Sequence, residues 1–247
     1  MSTSMIAFLI IMGFTLIIHG GMTYLVLKKK EYSFISGFYN RSKEEQQQLI
    51  ENGYPQAIGK LLLYTFIILF VSVVLALIRV PYGFEIGLGL FLIVLLGGTV
   101  YVQKYELAHK RKKNYWISGI ITVIVIVFVT VLVYFGFQEN EIIIDDQHLK
   151  VTGVYGVEWP IEEISQVKLL NELPEVIVKT NGFAAFGRLK GSFRLEKPYG
   201  GGKLFVHNGY EPYLYVEKGD DYIILNRKNN NETQKLYDEL LEKVKTR

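Results

Sequence analysis

The sequence predicts a membrane domain of four α-helical spans followed by a β-rich domain that one helix closes. Three observations carry that expectation. Nearly all the long apolar runs fall before Phe137, period-two alternation sets in from Asn140, and the last residues form an apolar stripe at helical spacing.

Crossing a hydrocarbon layer of ~30 Å takes about 20 mostly apolar residues in a helix. Four segments meet that length, at about 5–27, 58–80, 84–102 and 115–137. Runs such as Ile120–Val133 are rich in β-branched residues. In lipid that strand preference yields, because only a helix satisfies its backbone hydrogen bonds within the segment. The first run lacks a basic start and carries Lys28, Lys29 and Lys30 after it. It therefore reads as a retained span and not as a cleaved signal. The membrane domain is expected over 1–137, with a loop at 28–57, and the β-rich domain over 138–247.

Lys and Arg concentrate in two connections, Lys28–Lys30 with Arg41, Lys43 and Lys60 in the first, and Lys104 with Lys110–Lys113 in the third. The second offers only Arg79. The positive-inside rule puts both basic loops in the cytoplasm of a multi-pass plasma-membrane protein. The N-terminus and the C-terminal domain are then extracytoplasmic; were the Gly-rich third span not to cross, the C-terminal domain would lie in the cytoplasm. Tyr24, Tyr32, Tyr101, Tyr105, Tyr115, Trp116, Tyr134 and Phe137 cluster at the span ends, where amphipathic rings favour the interface. Gly83 and Gly87 form a small-xxx-small pair suited to close helix approach.

His19 is the ionisable residue deep within a span, and intramembrane ionisable groups are candidate functional sites. It stands beside Gly20 and Gly21, and no second intramembrane charge completes a proton relay, which favours a packed, hydrogen-bonded imidazole.

The first loop has structure of its own. Ser42-Lys-Glu-Glu45 is a capping box that opens a short helix through about Asn52, ended by Gly53 and Pro55. Leu49 and Ile50 give it an apolar edge to lay on the membrane or the spans. The run Ser36-Gly-Phe-Tyr-Asn-Arg-Ser-Lys-Glu-Glu45, followed by Gly59-Lys60 and a span, resembles a family of short bacterial membrane domains of unknown function, the DUF3784 type. In this loop that family is similar to immunity proteins that protect sporulating bacilli from a secreted killing peptide. The resemblance covers roughly the first 80 residues. It implies a bacterial source and a cytoplasmic loop, and it assigns no reaction.

Beyond Asn140, strands are expected around Leu149–Val151, Tyr155–Trp159, Gln166–Leu170 and Val176–Thr180, with a helical turn at Pro160–Ile164. Alternation continues through Phe193/Leu195, Leu204/Val206, Leu214/Val216 and Ile223/Leu225, with turns at Gly200–Gly202, His207–Tyr210 and Lys218–Asp221. A final helix carries Leu236, Leu240, Leu241 and Val244 on one stripe. About seven or eight antiparallel strands closed by one helix resemble a pleckstrin-homology (PH) barrel, and residues 142–167 with 187–195, 203–206, 212–216 and 222–226 resemble bacterial PH-like domains over most of 141–247. The first hairpin, Asp145-Asp146-Gln147-His148, is acidic where lipid-binding PH domains are basic. Headgroup binding there is not expected.

The net charge of +3 is too small for a nucleic-acid partner, and the chain has no cysteine and four scattered histidines. No Walker loop, nucleophile elbow or His-Glu-x-x-His helix is present. Pro198-Tyr-Gly-Gly-Gly-Lys203 lacks phosphate-loop spacing and reads as a hairpin turn, and Asp145-Asp146 as turn chemistry. No catalytic residue, metal or cofactor is expected. If Phe193, Leu195, Leu204, Val206, Leu214 and Val216 point inward, alternation sends Arg194, Lys203, Phe205, Tyr213 and Tyr215 outward as a candidate partner-binding face. The alternatives are cross-strand pairing of those rings or cover by the helix or membrane. The expected function is non-enzymatic recognition of a peptide or partner protein beside the bilayer, with peptide immunity or envelope stress as one form. A transporter or its accessory subunit and an envelope scaffold are alternatives of other classes.

Overall fold

A computed structural model describes residues 3–246, which fall into two compact units, Met5–Thr130 and a second that begins at Val131. The first contains most of α1 (Thr3–Leu27), all of α2 (Lys43–Glu51), α3 (Tyr54–Leu77) and α4 (Gly83–Val102), and most of α5 (Ala108–Phe137). Of these, α1, α3, α4 and α5 are long and apolar enough to cross a membrane. Two spans begin earlier than the hydropathy pattern indicated. Gly53 adopts φ +82, which ends α2, and Pro55 sits in the first turn of α3, where its missing N–H costs no hydrogen bond. The basic run Lys110–Lys113 likewise belongs to α5 itself.

Glycines set how closely α3 and α4 approach. A side chain at Gly83 would meet Leu75, one at Gly87 would meet Ser72, and one at Gly98 would meet Leu61. The small-xxx-small pair thus lies on the packed side of α4. By contrast, α5 exposes apolar residues around its whole circumference, Trp116, Ile120, Val123 and Phe128 among them, as a lipid-facing helix does.

The first loop folds as a small core. Tyr32, Ile35, Phe38 and Leu49 are buried with Val26 and Leu107, so the apolar edge of α2 lies against the spans and Tyr32 is not an interfacial ring. Ser42 caps α2 by accepting from the Glu45 N–H at 3.2 Å. The reciprocal half of the capping box is replaced. Glu45 instead takes Lys110 at 2.6 Å and His109 at 3.3 Å, a charge-assisted bond outweighing a neutral one. Beside it, Glu106 is fully buried. Arg41 holds both its oxygens at 2.8 Å, and the Leu107 N–H and Asn114 complete its shell. The first and third connections therefore meet at one end of the spans.

In the second unit, β1 (Ile142–Ile144), β2 (His148–Val151) and β3 (Val157–Pro160) form a three-stranded antiparallel meander. A second sheet has the order β4 (Gln166–Leu170), β8 (Tyr213–Lys218), β9 (Asp221–Leu225), β7 (Gly200–His207), β6 (Arg188–Leu195), β5 (Val176–Ala185). The strands thus form two sheets instead of the single barrel expected, and β7 runs parallel to β9. Helix α6 (Asn230–Lys245) follows, with Leu240 in the core.

The central strands β7, β8 and β9 of the larger sheet are buried on both faces, which overturns the alternation argument. One face packs Phe205, Leu214, Val216, Ile223 and Leu225 with Trp159 and Leu240. The other packs Phe193, Leu195, Leu204, Val206, Tyr213, Tyr215, Tyr222 and Ile224. Where both faces are covered, inward and outward parity lose their meaning.

Candidate functional site

The five residues expected on an exposed strip are dispersed. Arg194 is exposed and Lys203 half-buried, its ammonium bonded to the carbonyls of Tyr155 at 3.2 Å and Gly156 at 3.3 Å. Phe205, Tyr213 and Tyr215 are 7%, 2% and 5% exposed, so no outward aromatic strip exists at these positions. Phe205 lies on the opposite face from the two tyrosines, and the Tyr213 hydroxyl accepts from the Gly209 N–H at 2.9 Å.

One of the five does reach a cavity. Tyr215 lines a recess of about 300 Å³ with Lys168, Tyr199, Glu217, Asp221 and Tyr222. Strand register builds it. Lys168 on β4 stands directly opposite Tyr215 on β8, and Glu217 opposite Tyr222 on β9. Residues 215 and 217 share a face by the period of two. The turn at Gly219, with φ +58, brings β9 back so that Asp220 and Asp221 rim the opening. From the β6–β7 connection Tyr199 closes the third side. Gly202 leaves the space that the Tyr222 ring occupies, since any side chain there would collide with it. Gly200–Gly202 are accordingly strand residues and not the turn expected, which falls at Glu196–Tyr199.

The three rings make a cage. Tyr215 and Tyr222 stack with centroids 5.4 Å apart, and Tyr199 meets them edge-on at 5.8 and 6.1 Å. The Lys168 ammonium sits 4.4 Å from the Tyr215 centroid and 5.8 Å from that of Tyr199. A π face attracts a cation through its quadrupole, more strongly where water is excluded. Tyr215 donates to Glu217 at 2.6 Å and Tyr222 to the Gly200 carbonyl at 3.1 Å. Burial pushes the Tyr215 phenol well above its ordinary value, with the Glu217 hydrogen bond adding to it, and burial pushes Tyr222 up to about 12. Both rings stay neutral at physiological pH. Three carboxylates against one ammonium leave the recess negative.

Tyr199, Tyr222, Lys168 and Glu217 escaped the sequence reading. The signal lay in hairpin register: a turn at Lys218–Asp221 forces Tyr222 beside Glu217, whatever faces the core.

In the membrane half, His19 sits on a separate recess with Thr15, Met22 and Leu62. Its Nε2 is 3.0 Å from the Leu62 carbonyl and 3.2 Å from Thr65 Oγ1, and its own carbonyl accepts from Thr23 at 2.8 Å. Asp145 accepts from the Gln147 and His148 N–H groups at 2.8 and 2.7 Å, the turn chemistry expected of it.

Four candidate membrane-spanning helices fit a protein of the multi-pass membrane type, which carries a sheet-rich C-terminal domain. Residues 10–106 match the family described as "Domain of unknown function (DUF3784)". The matched stretch begins within α1 and ends on Glu106, so it contains both partners of the Arg41–Glu106 pair. No curated protein and no solved structure matches the chain.

Proposed function

We propose that the chain is a non-enzymatic, multi-pass protein of a bacterial plasma membrane. Its C-terminal domain, outside the cell, binds a peptide or partner protein by seating a cationic side chain among Tyr199, Tyr215 and Tyr222. The observation that carries this reading is the Lys168 ammonium over the Tyr215 ring, because the cage already holds an ammonium group of the protein's own. The carboxylates of Glu217, Asp220 and Asp221 favour a cation over any neutral visitor. Orientation in this reading rests on the basic first and third connections, and a sheet-rich domain ending in a helix is what supports reading it as PH-like. Protection against a secreted cationic peptide is one form such recognition would take.

The test is calorimetric titration of the full-length, detergent-solubilised protein with an oligolysine peptide and with an oligoglutamate peptide of equal length. Oligolysine is expected to bind the more tightly. Tyr199→Ala and Glu217→Gln should each weaken it about tenfold, in line with a desolvated cation–π contact. Lys168→Met, which removes the ammonium over the Tyr215 ring, should strengthen it. Equal binding of the two peptides, or unchanged affinity in Tyr199→Ala, rejects the reading.

A further inference from the structure

We infer that the groove between α3 and α4 is a binding site for one phospholipid with an anionic headgroup, in the leaflet that meets the basic loops. The groove encloses about 500 Å³ and is apolar along Leu61, Ile93, Val94 and the two glycines Gly97 and Gly98. Gly98 is there for packing, since Leu61 fills the space beside it. Gly97 has no such reason, because a side chain at that position would meet nothing within 4 Å. It leaves an open floor on a surface whose neighbours are large. Ile93 is 70% exposed and Tyr64 56%, so the groove opens sideways, to where acyl chains lie in a bilayer.

Polarity changes at the end near the Arg41–Glu106 pair. Lys60 lines the groove beside Tyr101 and Tyr105, and the Lys104 ammonium lies 4.0 and 4.8 Å from the centroids of those two rings. Both lysines are exposed, and among the described residues neither makes an ion pair. This contrasts with Arg41 and Lys110 nearby, each committed to a carboxylate. Two ammonium groups without a carboxylate partner, that of Lys104 hydrogen-bonded to the Tyr101 hydroxyl, and two phenols above an apolar trough match a ligand with a negative head and a hydrocarbon tail. Basic recesses between spans recognise anionic headgroups by this charge complementarity. A soluble phosphate shares the headgroup chemistry but leaves the trough unused.

Native mass spectrometry of the full-length protein, exchanged into detergent with equimolar phosphatidylglycerol and phosphatidylcholine, tests the site. Phosphatidylglycerol is expected to be retained at least tenfold over phosphatidylcholine. The variant Lys60→Gln/Lys104→Gln should lose that preference while its helical circular dichroism stays unchanged. Gly97→Leu, which fills the floor, should lower retention of both lipids with the lysines intact. Equal retention of the two lipids by the unmodified protein, or an undiminished preference in the double variant, overturns the inference. Displacement of phosphatidylglycerol by glycerol 3-phosphate overturns it too, because the headgroup alone would then account for binding.

Discussion

At the scale of single residues, Glu106 is the group on which the membrane half is most exacting. It is 0% exposed, and its charge is tolerable only because Arg41 and Asn114 and the Leu107 N–H saturate both oxygens. Glu106→Ala would strand the guanidinium of Arg41 without its partner, a change that costs about 3 kcal/mol when a buried pair is broken from one side. Glu106→Gln, which keeps the shape and part of the hydrogen bonding, should cost less. Thermal unfolding of the two variants in detergent checks the order, and equal melting temperatures would show the pair to be energetically idle. The motif containing Arg41 was legible in the sequence, but its partner was not. A hydropathy pattern gives the boundaries of spans and is silent about which loop charge meets which.

At the scale of elements, the junction between the last turn of α5 and strands β6 and β7 shows how local rules combine. The C-terminal carbonyls of a helix lack partners and carry the negative end of its dipole. Arg188 donates to the Phe137 and Gln138 carbonyls at 2.7 and 3.1 Å, and Lys190 to those of Phe135 and Gln138 at 3.2 and 2.5 Å. Glu139 joins them, 2.9 Å from Arg188, 3.5 Å from His207 and 3.7 Å from Arg227. Burial pushes His207 below its ordinary value of 6.5 against the pull of Glu139. Burial alone would raise Glu139, yet Arg188 and His207 outweigh it and hold the carboxyl below 4.5. For His207 the unfolded chain binds the proton more readily, so stability falls as pH drops from 6.5 toward the folded value. The contribution of Glu139 is complete above 4.5 and is lost as pH falls through its own lowered value. Acid unfolding of the C-terminal domain, followed by urea titration of Trp159 fluorescence, should therefore weaken in two stages. His207→Gln should remove the upper stage and leave the lower. A single transition confined below pH 4.5 in the unmodified protein would contradict this.

Strand and helix positions were largely legible at this scale, because alternation and turn residues act over a few neighbours. The failure was at Phe205, Tyr213 and Tyr215. Alternation assigns sides only when one face is wet, and β7, β8 and β9 are covered on both. Gly200–Gly202 misled for a related reason: glycine signals a turn, and here it makes room for the Tyr222 ring.

At the scale of the whole molecule, four membrane-type helices and a sheet-rich end were readable because bilayer thickness fixes span length without reference to any partner. Closure of the strands was not, since it depends on pairings between distant segments such as parallel β7 and β9. The side of the C-terminal domain is a prediction at this scale. Protease added to intact cells should remove a tag placed after Arg247 while a cytoplasmic control survives. Survival of the tag until lysis would put the domain in the cytoplasm and reverse the proposed orientation.

The Arg41–Glu106 pair also bears on how the chain is made. Its partners are 65 residues apart, with α3 and α4 between them. Arg41 is synthesised before Glu106, so the pair can close only after the two span-length helices between them, α3 and α4, have been made. Should only one of them cross, the two charges end on opposite faces of the membrane and cannot meet. The chain then has a carboxylate that Arg41 cannot neutralise and a loop that cannot close over Leu107. Correct insertion is thus recorded in a single ion pair between two loops.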